Sequence, residues 1–258
     1  MSAIDAPRVS IVVTAYEEGE QILTCLTRLL EAVTIPCEVL VVYDHPDDST
    51  APYVEKYALE DPRVLPTLNA YGRGPANAIR FGIDAASAPV VVVTMADLCD
   101  DPWQIDDLVR LVERGVAVAC ASRYMKGGQQ VGGPKLKSSL SRIAGLTLHV
   151  LAGVGTHDGT NSFKAYSKPF IESVGIDSAH GFEVGLELVA KARRLRLPIA
   201  EVPTVWLDRE EGDSNFQLKK WLPHYLRWYR FAFGGKLTPE QVRARTMTTA
   251  RTMTTKGR

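Results

Sequence analysis

Three carboxylates, Asp97, Asp100 and Asp101, follow an apolar run of four valines at residues 90–93. Valine is β-branched and suits a central strand that is buried on both faces. In open α/β sheets, ligands bind outside the carboxyl ends of the strands, and hard divalent cations prefer carboxylate oxygens. The pattern predicts that Asp97, with Asp100 and Asp101, could hold a hard divalent cation there. In the alternative interpretation, Asp100 and Asp101 only cap the helix that begins near Pro102.

A further acid, Asp44, follows a second strand-like run at residues 38–42. A carboxylate in this position can accept hydrogen bonds from a ribose or a base, as acids do after strands of nucleotide-binding sheets. The alternative role is the formation of a turn. The glycines on either side of Arg73 are too degenerate a pattern for a phosphate-binding loop.

Strand-like runs alternate with segments of helical spacing along the chain, which predicts an α/β fold. We expect a mostly parallel central sheet flanked by helices, with right-handed crossovers. The acidic loops that follow the strands then converge on one edge of the sheet. The predicted strands lie at residues 9–13, 38–42, 64–68, 90–93, 116–121 and 200–207.

Residues 129–137 contain Gly132, Gly133 and Pro134 and are predicted to form a mobile loop that closes over a bound substrate. The residues that follow, 138–151, have helical spacing and include Arg142.

The composition narrows the function classes. Lys plus Arg equals Asp plus Glu at 30 each, so nothing supports a general nucleic-acid-binding role. The four cysteines form no C-x-x-C pair and the amino-terminal residues have no signal-peptide pattern, which indicates reduced thiols and a cytoplasmic location. No stretch approaches the roughly 20 apolar residues of a membrane-spanning helix.

A carboxyl-terminal helix is predicted at residues 217–236, starting at or just before Pro223. It is rich in Trp, Tyr and cations and has no acids, which is typical of an amphipathic helix at a membrane interface. The alternative is a helix packed on the core of its own domain. Residues 237–258 contain the unit Arg-Thr-Met-Thr-Thr twice, at Arg245 and at Arg251, and have no apolar periodicity. They are predicted to be disordered.

Short motifs follow one another in a characteristic order over residues 9–216. Each is weak alone, but their order and spacing together resemble family 2 inverting glycosyltransferases, and among these the polyprenyl-phosphate (dolichyl-phosphate) mannose synthase group. The motifs are residues 9–18, residues 38–44 with Asp48 and Thr50, Ala96-Asp97-Leu98 with Asp101-Pro102, residues 121–124 with 126–128, Ser141-Arg142, Asp158-x-Thr160-x-x-Phe163-Lys164, and Asp208-Arg209-x-x-Gly212-x-Ser214.

The resemblance implies a nucleotide-diphospho-sugar transferase fold of the GT-A type over residues 1–216, with Asp97 binding a divalent metal against the donor diphosphate. It also implies that three arginines grip the phosphate of the lipid acceptor or of the donor, since the arginine fork stays charged and matches phosphate oxygens. The residues that it assigns are Thr14, Tyr16, Glu18 and Asp44 for the base and ribose, and Arg123, Arg142 and Arg209 for the phosphates.

The reaction implied by the resemblance is a direct displacement. A phosphate oxygen of the lipid attacks the anomeric carbon of the sugar, the nucleoside diphosphate leaves, and the configuration inverts. An ionised phosphate needs no dedicated base, because its second pKa lies near 6. A hydroxyl acceptor would need one, and then Asp97, Asp100 and Asp101 are the candidates.

The chain departs from the family pattern at several positions. Met95 stands where the first acid of an Asp-Ala-Asp motif is usual, and Cys99 replaces a frequent Gln. Glu17 replaces a usual Asn, and Asn215 a common Lys. Neither methionine nor neutral cysteine is a good ligand for Mg²⁺. Metal binding is therefore predicted to depend on Asp97, with Asp100 as the second ligand.

Three functional hypotheses follow. The first is transfer of a hexose, mannose from GDP-mannose, to a polyprenyl phosphate by a peripheral enzyme at the cytoplasmic membrane face. The second is transfer from another, UDP-linked sugar or to a soluble hydroxyl acceptor. The third is a nucleotide-sugar-binding relative with weak or no turnover, which Met95 and Cys99 suggest.

Overall fold

A computed structural model of the chain describes residues 6–208 and 218–246, residues 218–220 by their backbone alone. Strands and helices alternate through most of this length. The strands are β1 Val9–Thr14, β2 Cys37–Tyr43, β3 Val64–Leu68, β4 Val90–Met95, β5 Val118–Ser122, β6 Gln129–Val131, β7 Lys164–Ser167, β8 Ile199–Pro203 and β9 Val205–Leu207. The helices are α1 Gln21–Ala32, α2 Ala51–Glu60, α3 Pro75–Ala85, α4 Ile105–Glu113, α5 Lys135–Ala152, α6 Lys168–Val174, α7 Val184–Leu195 and α8 Leu218–Ala232.

The central sheet has seven strands in the order β3-β2-β1-β4-β7-β5-β8. All neighbouring pairs are parallel except those of β7, which runs antiparallel to both β4 and β5. The prediction of a mostly parallel sheet is confirmed. Because β7 runs against its neighbours, its first residues lie at the same edge of the sheet as the last residues of β4.

Helices cover both faces of the sheet. Successive side chains of a strand point to opposite faces, so Val12 belongs to the core cluster that includes residues of α3, α6, α7 and α8, whereas Ile11 and Val13 belong to the one that includes residues of α1 and α4. The run at residues 90–93 is buried throughout, as its β-branched sequence predicted.

The region predicted as a single strand at residues 200–207 is split. Thr204 separates β8, which completes the central sheet, from β9, which pairs in parallel with β6. The predicted mobile loop at residues 129–137 therefore contains a strand, and α5 begins inside it at Lys135. This pairing joins segments far apart in sequence, which local composition does not encode.

Helix α8 packs on the domain core, where Trp221, Trp228 and Ala232 are buried. It starts at Leu218 and includes Pro223, so the predicted start near the proline is wrong. The prediction of disorder from residue 237 is also wrong as far as residue 246. Residues 239–246 are helical and Val242 is 0% exposed, because its apolar side chain packs with the core despite the polar sequence around it. Among the described residues, no helix combines the length and the apolarity needed to cross a membrane.

Candidate active site

A cleft of about 1000 Å³ lies at the carboxyl edge of the central sheet. Loops that follow β1, β2, β4 and β5 form its floor, and α5 and α8 form its outer wall. The structure thus brings together most of the predicted site residues. Those lining the cleft are Thr14, Tyr16, Glu18, Asp44, Asp97, Asp100 and Arg123.

Asp97 and Asp100 sit in the turn immediately after β4. The Cys99 amide donates to Asp97 Oδ1 at 3.2 Å, and Leu98 between them takes a positive φ of 61°. The Thr94 hydroxyl donates to Asp100 Oδ2 at 3.0 Å. Burial, with a further contribution from the Asp97 charge, raises the pKa of Asp100 to about 7. The two carboxylates therefore form a site that favours a bound cation or a proton.

The third carboxylate of this turn has a different role. Asp101 accepts a hydrogen bond from the Trp103 amide at 3.3 Å and precedes a short 3₁₀ helix at Pro102–Gln104. Capping is therefore the role of Asp101, as one of the two interpretations predicted, whereas Asp100 bonds inward to Thr94.

Met95 occupies the position where an additional acid would face the cleft. Its Sδ accepts a hydrogen bond from the Thr14 hydroxyl at 3.1 Å, which links the ends of β4 and β1. A thioether sulfur is a poor ligand for a hard cation. The carboxylates of this turn that line the cleft and could hold Mg²⁺ or Mn²⁺ are Asp97 and Asp100.

Asp44 holds the loop before α3. Its two carboxylate oxygens accept hydrogen bonds from Asn69 Nδ2 and from the Gly74 amide, both at 2.8 Å. Gly74 has a φ of 119°, which only glycine adopts readily. Asp44 thus shapes the loop and also lines the cleft. Tyr16 lies nearby with 52% of its surface exposed, which leaves its ring available to a planar ligand.

Arg123 forms a bidentate ion pair with Asp158. Its Nε and Nη2 donate to the two carboxylate oxygens at 2.7 and 2.9 Å, and Nη2 also lies 3.3 Å from the Ser141 hydroxyl. The Asp158 side chain is 0% exposed. Although burial acts in the opposite direction, the Arg123 charge and hydrogen bonds hold the pKa of Asp158 below its usual value. Arg123 is therefore fixed in orientation at the cleft wall.

The other two predicted arginines differ from Arg123. Arg142 is exposed on α5, does not line the cleft, and lies over the Tyr124 ring at 5.6 Å. Arg209 and Asn215 lie outside the described residues. Of the two predicted arginines in the described part of the chain, Arg123 lines the cleft and Arg142 does not, and the roles of Arg142 and Arg209 stay predictions.

Several polar side chains of the cleft have no role that the sequence predicted. The Ser141 and Thr160 hydroxyls lie 2.5 Å apart beside Arg123, and the Tyr124 hydroxyl donates to Gln130 Oε1 at 3.0 Å. Ser141 and Thr160 belong to the motifs at Ser141-Arg142 and residues 158–164, so those motifs could have indicated that both residues lie in the site. For Gln130, the sequence held no comparable signal, because its position depends on the β6–β9 pairing.

Curated relatives of the chain are polyprenyl-phosphate sugar transferases by name. The chain is 29% identical over 216 residues to an undecaprenyl-phosphate mannosyltransferase of Micrococcus luteus, covering 81% of this chain and 87% of the relative. It is 28% identical over 214 residues to a polyprenol monophosphomannose synthase of Mycolicibacterium smegmatis, covering 81% and 80%. A dolichol-phosphate mannosyltransferase of Pyrococcus furiosus is 26% identical over 228 residues, covering 86% of this chain and 63% of the relative.

The fold matches solved structures as well. A glucosyl-3-phosphoglycerate synthase from Mycobacterium tuberculosis, solved with Mn²⁺, UDP and glucosyl-3-phosphoglycerate, superposes with a TM-score of 0.63 at 17% identity. The match covers 90% of this chain and 82% of that structure. The predicted GT-A type fold is confirmed. The sequence model described as "Glycosyl transferase family 2" matches residues 10–175, and the chain belongs to this family.

Proposed function

We propose that the protein is an inverting glycosyltransferase that moves mannose from GDP-mannose to a polyprenyl phosphate at a membrane surface. The observation that supports this most directly is the composition of the cleft. The cleft is lined by the carboxylate pair Asp97 and Asp100 and by Arg123, and its outer wall is apolar and open to solvent. Such a cleft suits a nucleotide diphosphate, a phosphate and a hydrocarbon chain side by side.

The apolar outer wall of the cleft favours a lipid acceptor over a small soluble one. Helix α5 exposes many apolar side chains, and α8 adds Leu222 and Leu226, which are 43% and 39% exposed and also line the cleft. Exposed apolar patches of this kind mark interaction surfaces. We call the exposed apolar side chains of α5 the α5 apolar face. They are Leu136, Leu140, Ile143, Leu146, Val150 and Leu151.

The α5 apolar face supports peripheral binding to the cytoplasmic face of a membrane. Leu140 and Ile143 lie on this face and also line the cleft, so a chain in the cleft reaches the exposed surface without crossing the protein. The exposed cations Lys135 and Arg142 are on the same helix. Cations beside an apolar surface favour membranes that contain anionic lipid.

Four residues at the ends of β1 and β2 form the part of the cleft that we assign to the nucleotide. The exposed Tyr16 ring would stack on the base, whereas carboxylates accept hydrogen bonds from ribose hydroxyls. The four residues are Thr14, Tyr16, Glu18 and Asp44.

Arg123 would hold the acceptor phosphate. Its Nε and Nη2 are occupied by Asp158, so the guanidinium cannot rotate freely while a phosphate approaches. A phosphate oxygen attacks the anomeric carbon, a new carbon–oxygen bond forms as the bond to the nucleoside diphosphate breaks, and the configuration inverts. The ionised phosphate needs no protein base.

Asp97 and Asp100 would hold a divalent cation against the donor diphosphate. When bound, such a cation neutralises the charge that develops on the leaving group. Both residues follow β4 and face the same cleft as Thr14, which places this charge beside the proposed nucleotide region.

The test is incubation of the protein and Mn²⁺ with radiolabelled GDP-mannose and a short-chain polyprenyl phosphate in detergent. Label that moves into the organic phase supports the proposal. A parallel reaction with UDP-glucose and 3-phosphoglycerate tests the second candidate, which the ligands of the structural neighbour from M. tuberculosis suggest. Tight nucleotide binding without transfer from either donor contradicts both and favours a binding protein.

A further inference from the structure

Lys164 is a fully buried lysine whose ammonium group has no hydrogen-bond partner among the residues described. Its side chain is 0% exposed, and no described donor or acceptor lies within hydrogen-bonding geometry of Nζ. A buried charge without a partner is costly to a folded protein. An unpaired lysine charge in such a position therefore points to a function for that charge.

The ammonium group lies directly behind the cleft wall. Lys164 is the first residue of β7 and pairs with Val93 on β4 and Cys120 on β5. A Cβ built on Gly185 would lie 3.4 Å from Lys164 Nζ, and 3.1 Å from the Asn161 carbonyl oxygen. Asn161 and its neighbour Ser162 line the cleft, so the ammonium group lies close to backbone that forms the cleft wall.

The charged groups around Lys164 belong to the same site. Burial lowers its pKa, and this effect is opposed by Cys120, Asp158 and Asp100 and reinforced by Arg123. Asp158 already neutralises Arg123 through the bidentate pair. Arg73 and Lys137 also line the cleft, but the Arg123–Asp158 ion pair taken by itself has little net attraction for a phosphate.

We propose that Lys164 is a positioning residue for the acceptor phosphate. Its charge offsets that of Asp158, so that Arg123 can be held in place by this carboxylate and still attract an anion in the cleft. This inference rests on the proposed transfer to a phosphate acceptor. It assigns to Lys164 an electrostatic effect on the acceptor phosphate without direct contact.

Lys191 provides a matched control. It is also 0% exposed, but its ammonium group is paired with Asp177 and Glu187, each at 2.5 Å. Glu187 is itself 0% exposed. Neutralising Lys191 therefore leaves a buried carboxylate unpaired and should lower the melting temperature. Neutralising Lys164 removes an unpaired charge, and should leave the melting temperature unchanged or raise it.

The experiment measures transfer kinetics and thermal unfolding for the wild type, Lys164→Met, Lys164→Gln and Lys191→Met, with a short-chain polyprenyl phosphate as the acceptor. For both Lys164 variants we expect the KM for the acceptor to rise on the order of tenfold, because a positive charge behind the cleft wall is lost and its attraction for the phosphate weakens with distance. The KM for the donor should stay unchanged. Lys191→Met should show the opposite pattern, with a lower melting temperature and an unaltered acceptor KM.

The failure of this inference differs from the failure of the proposed function. A wild-type protein that transfers no sugar to a polyprenyl phosphate overturns the proposed function. A wild type that does so, with an acceptor KM that Lys164→Met and Lys164→Gln leave unchanged, overturns the role of Lys164. Loss of folding in both Lys164 variants overturns it too, because the lysine would then be structural.

Discussion

Arg123 and Asp158, which are 35 residues apart in sequence, form a buried bidentate ion pair at the wall of the cleft. The pair has two consequences for substitutions at Arg123, because the residue both faces the cleft and neutralises a carboxylate that is 0% exposed. Loss of function and loss of stability must therefore be measured separately.

Arg123→Ala should abolish sugar transfer and leave nucleotide affinity largely intact, since the residues assigned to the nucleotide lie at the ends of β1 and β2, whereas Arg123 follows β5. It should also lower the free energy of unfolding by about 3–5 kcal/mol, because the buried Asp158 carboxylate loses its bidentate partner. Denaturant unfolding and titration with GDP check the two expectations. Normal turnover in the variant would exclude Arg123 from the reaction.

A double variant separates the two effects. In Arg123→Met with Asp158→Asn, the neutral amide still accepts from the Asn161 amide, as Asp158 Oδ1 does at 3.3 Å, and neither charge of the ion pair is left without the other. We expect most of the lost stability to return while transfer stays absent. Recovery of transfer in this variant would show that Arg123 has a structural role only.

The raised pKa of Asp100 predicts how stability depends on pH in the absence of metal. The folded protein keeps this proton up to about pH 7, whereas an unfolded Asp releases it near pH 4. Stability is therefore expected to fall as the pH rises through this window, by up to about 4 kcal/mol. Asp100→Asn should flatten the dependence, and Mn²⁺ should stabilise the wild type more at pH 8 than at pH 5.

Asp101→Asn is the control, because Asp101 caps a short helix at the surface of the same turn. Melting curves of the three proteins between pH 5 and pH 8, with and without Mn²⁺, measure the effect. A wild-type slope that equals that of Asp100→Asn would contradict the assignment to Asp100.

Much of the site could be predicted because it depends on local pattern. The four valines at residues 90–93 are buried as their β-branched run predicted, and Asp44 and Asp97 lie at the ends of the predicted strands. The carboxyl ends of parallel strands lie at one edge of a sheet, so the strand pattern alone predicts that these residues and Thr14 lie close together.

The remainder depends on contacts between distant segments. Arg123 meets Asp158 only because the loop before β7 returns to the end of β5, and β6 forms only because β9 lies beside it. Lys164 sits in a strand of ordinary composition, and its isolation follows from the packing around it. No periodicity in the sequence specifies these relationships.

Met95→Asp should strengthen Mn²⁺ binding. The substitution adds a carboxylate beside Asp97 and Asp100 and removes the sulfur that accepts from Thr14. We expect the Kd for Mn²⁺ to fall about tenfold, since a further carboxylate is a strong ligand for a hard cation, and the metal-free protein to become less stable through repulsion. Isothermal titration measures the Kd, with Met95→Asn as the uncharged control. Equal affinities in all three proteins would place the metal elsewhere.

The α5 apolar face should determine membrane binding. Leu146 and Val150, 52% and 65% exposed, belong to this face but do not line the cleft. Replacing both by Glu adds two charges where hydrocarbon contact is proposed, and should reduce sedimentation with vesicles that contain phosphatidylglycerol at least tenfold. Leu59→Glu is the matched control, because Leu59 is 88% exposed on α2 at a distance from the cleft. Transfer to a short-chain acceptor in detergent should be preserved in the double variant, since no residue of the cleft changes. Unaltered vesicle binding in that variant would exclude α5 as the membrane-facing surface and leave α8 as the candidate.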